Sequence, residues 1–147
     1  MPEHKETRRL SFRPEQLFDL VADIERYPEF LPWCLGARIL TREGNAVTAD
    51  LIIGYKMFRE KFTSHVTLDR PRAITVAYHS GPLAHLTNQW EFTPAGKGCD
   101  LSFHVAFDFH SRMLASVMEP FFDKAMGRMA EAFEKRAGEL YGARQAE

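Results

Sequence analysis

Four side chains interrupt otherwise apolar rows in this chain: Tyr55, Ser64, Asn88 and Trp90. Each stands on the apolar set of an alternating segment and so carries a hydrogen-bonding group toward whatever that set buries. A buried amide without a partner costs roughly 1 to 3 kcal/mol, so Asn88 must bond to protein or water, or face something polar in a cavity. Groups able to make or break bonds are harder to find. Glu25 and Glu29 flank Tyr27, but their spacing singles out no acid and base pair. His65, His79, His104 and His110 fall mainly on the polar side of their alternations, and none stands with a cysteine or carboxylate at metal-ligand spacing, so no metal is expected. The chain has no serine or cysteine nucleophile motif and no glycine-rich phosphate loop; Gly96 and Gly98 read as a hairpin turn.

Tyr27, Phe30, Leu31 and Trp33 form the densest aromatic cluster. Pro28 and Pro32 prevent one regular helix there, which puts the cluster on a short turn or corner. Buried, these side chains plug one end of a core. Exposed, they dip into a membrane interface, where Trp and Tyr are favoured, and the exposure of Trp33 separates the two.

These groups need elements to hold them. His4 to Leu10 alternates weakly and reads as a strand. Ser11, followed by Pro14 and Glu15, signals a helix start, and Leu17, Phe18, Leu20, Val21 and Ile24 recur at helical spacing behind it. From Leu35 to Phe109 the period is two. Val47, Ala49, Leu51, Ile53, Tyr55 and Met57 share one face; so do Phe62, Ser64, Val66 and Leu68; Ile74, Val76 and Tyr78; Leu86, Asn88, Trp90 and Phe92; and Leu101, Phe103, Val105, Phe107 and Phe109. Short turns at Glu43 to Asn45, Asp69 to Pro71 and Pro94 to Gly98 imply an antiparallel meander. Ser111 to Gly142 reads as one amphipathic helix with the stripe Leu114, Val117, Met118, Phe121, Phe122, Ala125, Met126, Met129, Phe133 and Leu140. Pro120 belongs either in its first turn or at a bend. The class is α+β: six or seven antiparallel strands curved around a long C-terminal helix, with one or two short helices after the first strand. A sheet with one apolar face must be covered, and this stripe is long enough to do it.

At 147 residues the chain is expected to be a single domain spanning 1–147. A net charge of -1 gives no electrostatic reason to expect DNA. Cys34 and Cys99 fit neither a disulfide framework nor a zinc site. No stretch approaches the ~20 apolar residues of a membrane span, and residues 1–10 lack the apolar run of a signal peptide. A reducing, cytoplasmic home is expected, with at most peripheral contact at the inner membrane.

The order of elements, the Tyr27 to Cys34 run, the strand with Ile53, Gly54 and Tyr55, the pair Gly81 and Pro82 ahead of Trp90, and the closing Ala132, Phe133, Glu134, Arg136, Ala137, Leu140, Tyr141 and Gly142 together resemble the coenzyme Q-binding branch of the START-like, helix-grip superfamily. That resemblance covers essentially the whole chain. It implies the polyketide cyclase and lipid-transport type of fold. The branch contains two kinds of described protein, ubiquinone-binding proteins that support respiration and bacterial ribosome-association toxins, and fold analogy does not choose between them.

A helix laid across a strongly curved sheet can leave a cavity in the middle. The expected lining is Ile53, Tyr55, Ser64, Tyr78, Asn88, Trp90, Phe103 and Val105 from the strands, Met118, Phe122, Met126 and Met129 from the helix, and Trp33 at the mouth, with Leu114, Val117 and Leu140 as end contacts. Gly127, beside Ala125 and Ala130, leaves space opposite larger residues. Given the resemblance, ubiquinone or a similar isoprenoid lipid suits such a lining. Its ring carbonyls accept hydrogen bonds from Asn88, Tyr55 or Trp90, and its tail is apolar. The leading reading is a non-enzymatic carrier of this quinone. The second is a protein that blocks association of ribosomal subunits, for which Arg8, Arg9, Arg13, Arg70, Arg72, Lys124, Arg128, Lys135 and Arg136 are the cations that RNA would meet. The third is a cyclase or hydrolase, since some START-like relatives are enzymes.

Overall fold

Alternating apolar residues need a partner face, and here they obtain it by forming one sheet around the C-terminal helices. The computed structural model describes residues 3–55, 58–81 and 83–142, without the side chains of Tyr55, Phe58, Leu114 and Met118. Among the described residues seven strands form, β1 (Glu3–Leu10), β2 (Cys34–Glu43), β3 (Ala46–Tyr55), β4 (Phe58–Asp69), β5 (Ala73–Ser80), β6 (Leu83–Ala95) and β7 (Gly98–Phe109). All neighbours are antiparallel, in the order β1-β7-β6-β5-β4-β3-β2. The meander therefore runs from β2 to β7, and β1 closes onto β7 as the opposite edge. The β6–β7 hairpin turns at Gly96, whose φ of 59° suits a residue without a Cβ.

The first helix, α1 (Pro14–Ala22), buries Leu17, Phe18, Leu20 and Val21 against the sheet. Its cap differs from the Ser11 expected: Arg13 occupies the cap position, and its backbone N–H donates to Gln16 Oε1 at 3.0 Å. Pro14 takes the first helical position, where a missing N–H costs nothing. A 3-10 turn at Ile24–Glu29 contains Pro28 and carries the aromatic segment into β2.

The expected single terminal helix is two. α2 (Arg112–Met118) ends in a 3-10 turn at Glu119–Phe121, and α3 (Phe122–Tyr141) restarts behind it. Pro120 sits inside that turn. It has no N–H to donate, and its ring clashes with the carbonyl four residues back, so a continuous helix through it is disfavoured by about 3 kcal/mol. The stripe splits accordingly. Phe122, Ala130, Phe133 and Ala137 of α3 are buried, whereas Val117, Phe121 and Leu140, expected inside, are 49%, 44% and 50% exposed. Val117 and Leu140 are thus not end contacts; Leu114 lies outside the described side chains.

Strand β1 carries the least expected inner face. Its inward positions are His4, Glu6, Arg8 and Leu10, so three ionisable groups lie under α3. His4 Nε2 meets Glu6 Oε1 at 2.9 Å and its Nδ1 meets Asp123 Oδ1 at 3.0 Å. Arg8 donates to Glu6 and, at 3.2 Å, to Glu134. Asp123 and Glu134 are eleven residues apart, about 16 Å along a helix, and the row from His4 to Arg8 spans nearly the same length of strand. The edge strand is therefore laced to the helix by charge along its length.

Two outcomes follow from this packing. Burial works against a charged His4, but hydrogen bonds to Glu6 and Asp123 outweigh it and hold its pKa above the ordinary 6.5. The stabilisation from His4 is then complete below pH 6.5 and disappears as pH rises through the raised value. Urea unfolding of His4→Gln against the parent should show a deficit on the order of 1 kcal/mol near pH 6 that closes by pH 9. Among the glycines, a Cβ at Gly98 would run into the Leu10 carbonyl oxygen, whereas at Gly127, within α3, nothing lies within 4 Å. Thermal melts should show Gly98→Ala lowering stability by about 1 to 3 kcal/mol and Gly127→Ala raising it by up to ~1 kcal/mol.

Candidate functional site

The curvature of the sheet leaves a cavity of about 500 Å³ between its inner face and the N-terminal half of α3. That size falls in the range of small-molecule sites, roughly 300 to 1,000 Å³. β3 contributes Ala49, Leu51 and Ile53; β4 Phe62, Ser64 and Val66; β5 Ile74 and Val76; β6 Leu83, Leu86, Asn88 and Trp90; β7 Val105, Phe107 and Phe109. α3 supplies Phe122, Ala125, Met126 and Met129. Val21, Ile24, Tyr27 and Trp33 close the far side. Glu60, Phe121, Lys124 and Arg128, all exposed, line the rim and mark where the cavity opens.

The closed end is an aromatic junction. Phe133 meets Tyr27, Phe30 and Trp90 edge-on, with ring centroids 5.5, 5.1 and 5.2 Å away. Tyr27 donates its phenol to the Val21 carbonyl, and burial pushes its pKa well above the ordinary value. Arg136 lies over Phe30 at 5.4 Å and pairs with Glu29, tying α3 to the 3-10 turn. Tyr27, Phe30 and Leu31 therefore plug the core. Trp33 is half-buried and lines the cavity, and membrane contact through the whole cluster is not what this packing offers.

Inside the charged rim, the polar groups of the cavity wall are few among the described side chains, and some are already engaged. Trp90 Nε1 donates to Asn88 Oδ1 at 2.9 Å, and Asn88 Nδ2 donates to the His104 carbonyl at 3.0 Å. The indole donor expected to face a ligand is consumed inside the wall. Asn88 keeps one N–H and one lone pair. Ser64 is 6% exposed, lines the cavity and makes no hydrogen bond with another described residue. Tyr78 does not reach the lining; its hydroxyl accepts the Leu83 N–H at 2.9 Å. Phe103 lies outside the lining too, stacked at 5.0 Å behind Trp90. The expected side chains of Tyr55 and Met118 fall outside the described ones.

Of the expected residues, Trp33, Ile53, Ser64, Asn88, Trp90, Val105, Phe122, Met126 and Met129 come together around one space. Sequence reasoning missed the contributions of Val21 and Ile24, which their helical period assigned only to core. It also missed Lys124 and Arg128 as rim residues, although their four-residue spacing puts them on one face of a helix.

Neither cysteine is poised as a nucleophile. Both are free and buried; burial raises the Cys34 thiol, and burial with the nearby Asp100 charge pushes Cys99 up to about 11. No group of three or more metal-ligating side chains occurs among the described residues, and no helix among them is long and apolar enough to cross a membrane.

Comparison with known proteins sets this geometry in context. Residues 10–134 match the family described as polyketide cyclase / dehydrase and lipid transport, a description that spans both enzymes and binders. The chain is 38% identical over 138 residues to the ribosome association toxin RatA of Rickettsia prowazekii, covering 91% of this chain and 94% of that protein. It is 33% identical over 145 residues to the coenzyme Q-binding protein COQ10 homolog B, mitochondrial, of Xenopus laevis, covering 95% of this chain but 59% of that protein's length. A START superfamily protein from Mycobacterium smegmatis superposes with a TM-score of 0.82 over 94% of this chain and 98% of that one, at 17% identity, which establishes the fold alone. Both kinds of relative expected from the sequence are present.

Proposed function

This chain belongs to the polyketide cyclase / dehydrase and lipid-transport family, and from that premise we propose that it is a non-enzymatic carrier that holds an isoprenoid quinone of the ubiquinone class between sheet and α3. The observation that carries this reading is the composition of the cavity. Around about 500 Å³, the polar groups inside the rim that are not fully engaged include, among the described side chains, the Ser64 hydroxyl and what remains of the Asn88 amide. Both are neutral and neither is a competent acid or base near neutral pH, so they suit recognition of carbonyl oxygens better than proton transfer. The ring carbonyls of a quinone accept from Ser64 Oγ and the spare Asn88 N–H. The first part of the tail lies along Met126, Met129 and Phe122, whose shapes adapt to a flexible chain. The remainder of a long tail leaves past Phe121, Lys124 and Arg128. The choice of quinone rests on similarity to the coenzyme Q-binding relative.

A second reading, action on ribosomal subunits, draws on the toxin relatives and on a separate surface. Arg13, Arg72 and Lys97, with Glu15, line a cleft of about 530 Å³ between the start of α1 and the β6–β7 turn. Against it, several expected cations are committed to carboxylates: Arg8 to Glu6, Arg9 to Asp100, Arg70 to Asp19 and Arg136 to Glu29.

Extraction and mass spectrometry of protein purified without detergent tests the first reading, with quinone expected in the extract. Ser64→Val should lower retention severalfold with an unchanged melt. Ala125→Phe, which fills the cavity, should lower it about tenfold, equivalent to ~1.4 kcal/mol. Asn88→Leu is a poorer probe, since it strands the Trp90 N–H at a cost of roughly 1 to 3 kcal/mol. A protein that carries no quinone, takes none up when offered, and co-sediments with one ribosomal subunit would favour the second reading.

A further inference from the structure

The break at Pro120 leaves an apolar face beside the mouth of the cavity. Met113, Val117 and Phe121 are 77%, 49% and 44% exposed and follow one another every four residues through α2 and the 3-10 turn. Four-residue spacing puts Met113 and Val117 on one side of the helix, and Phe121, itself at the cavity rim, prolongs that side. α2 packs mainly against the end of β7 and the turn that follows it, so its other side faces solvent. Three large apolar side chains exposed in sequence at the entrance of an apolar cavity mark an interaction surface.

Charge identifies the partner. Lys124 and Arg128 stand one turn apart at the same rim, both exposed and neither in an ion pair with a described residue. Arg112 begins α2. Against these three cations stand Glu60 and Glu119; Asp123 is bound to His4. Apolar side chains bordered by a small excess of positive charge fit a bilayer with anionic headgroups. A second copy of this chain fits less well, because a symmetric pair through this face would set Lys124 and Arg128 against their own equivalents.

We propose that α2 and the Glu119–Phe121 turn are the membrane-docking element of this protein. Met113, Val117 and Phe121 enter the interface of an anionic bilayer, and the mouth opens onto lipid so that a ligand passes into the cavity without crossing water. The proposal rests on the carrier reading for its purpose but not for its test. Three apolar side chains and a modest charge excess give reversible binding, as a shuttle requires.

The test is co-sedimentation of the full chain with vesicles of phosphatidylcholine alone or with about a third phosphatidylglycerol, the regime where surface charge adds to apolar insertion. Partition onto the anionic vesicles is expected, weakening as salt screens the charges. Met113→Glu with Val117→Glu should reduce it at least ~tenfold, a difference of about 1.4 kcal/mol, and Arg112→Glu severalfold. Neither Met113 nor Val117 lines the cavity, so uptake of ubiquinone from detergent micelles should be the same in the double variant as in the parent. Equal vesicle binding by parent and double variant overturns the proposal. So does a concentration-dependent dimer of the parent that the double variant abolishes. Failure of the parent to take up quinone from micelles overturns the carrier reading instead, and the vesicle result still decides docking.

Discussion

The architecture turns on Phe133. Its ring, 2% exposed, is the place where α3, the 3-10 turn after α1 and the sheet all meet. A straight helix cannot follow a strongly curved sheet along its whole length. Close packing at one end must be repaid by separation at the other. Placing three edge-on aromatic contacts, the buried Ala130 and Ala137, and the Arg136 to Glu29 pair in the part of α3 from Ala130 onward fixes which end closes. The cavity is then a consequence: from Met129 back to Phe122 the helix departs from β4, β5 and β6, and the space between is lined by whatever those strands point inward.

The open half is pinned at its tip by Phe122, buried with its ring centroid 4.8 Å from that of Phe107, but further apolar contact along it would fill the cavity. Edge strand β1 solves the problem from the side. His4, Glu6 and Arg8 reach Asp123 and Glu134 at the margin of the helix, so the clamp takes no volume from the site. Bridged charges suit this position, because Asp123 and Glu134 stay in water while the inner three are partly covered and mutually satisfied. The same row blunts an exposed sheet edge, where inward charge discourages pairing with another chain.

The α+β class, the meander and the inward sets of β3 to β7 were legible because a period of two is written directly into residue type. So was much of the cavity wall, since Ser64 and Asn88 could be recognised as polar exceptions on apolar rows. Three things were not. The fate of Asn88 and Trp90 depends on a diagonal side-chain bond and on the His104 carbonyl of the neighbouring strand, which no linear pattern encodes. The inner face of β1 could be read only as a weakly alternating strand, because its partners Asp123 and Glu134 are more than a hundred residues away in sequence. Pro120 was seen, but whether it begins a helix or divides two depends on whether the segment before it forms a helix against the end of β7, and that is a tertiary contact.

A cavity with so few polar groups selects by fit more than by hydrogen bonding. One hydrogen bond from Ser64 is worth about 0.5 to 1.5 kcal/mol net, whereas each methylene moved from water into the apolar wall contributes ~0.8 kcal/mol. Two or three methylenes thus outweigh the headgroup contact. Apolar pockets in turn discriminate weakly between occupants that differ by one methylene, by roughly 1 to 3 kcal/mol. Such a site tolerates change in its occupant so long as width and apolar length are kept. Specific chemistry enters only where an ionisable side chain is introduced deep in the cavity wall, and Ser64 and Asn88 there are neutral. That is a physical reason why one fold can be described by both cyclisation and lipid transport. It is the chemistry at such inward positions, here the neutral Ser64 and Asn88, and not the shape of the grip, that separates one protein on this frame from another.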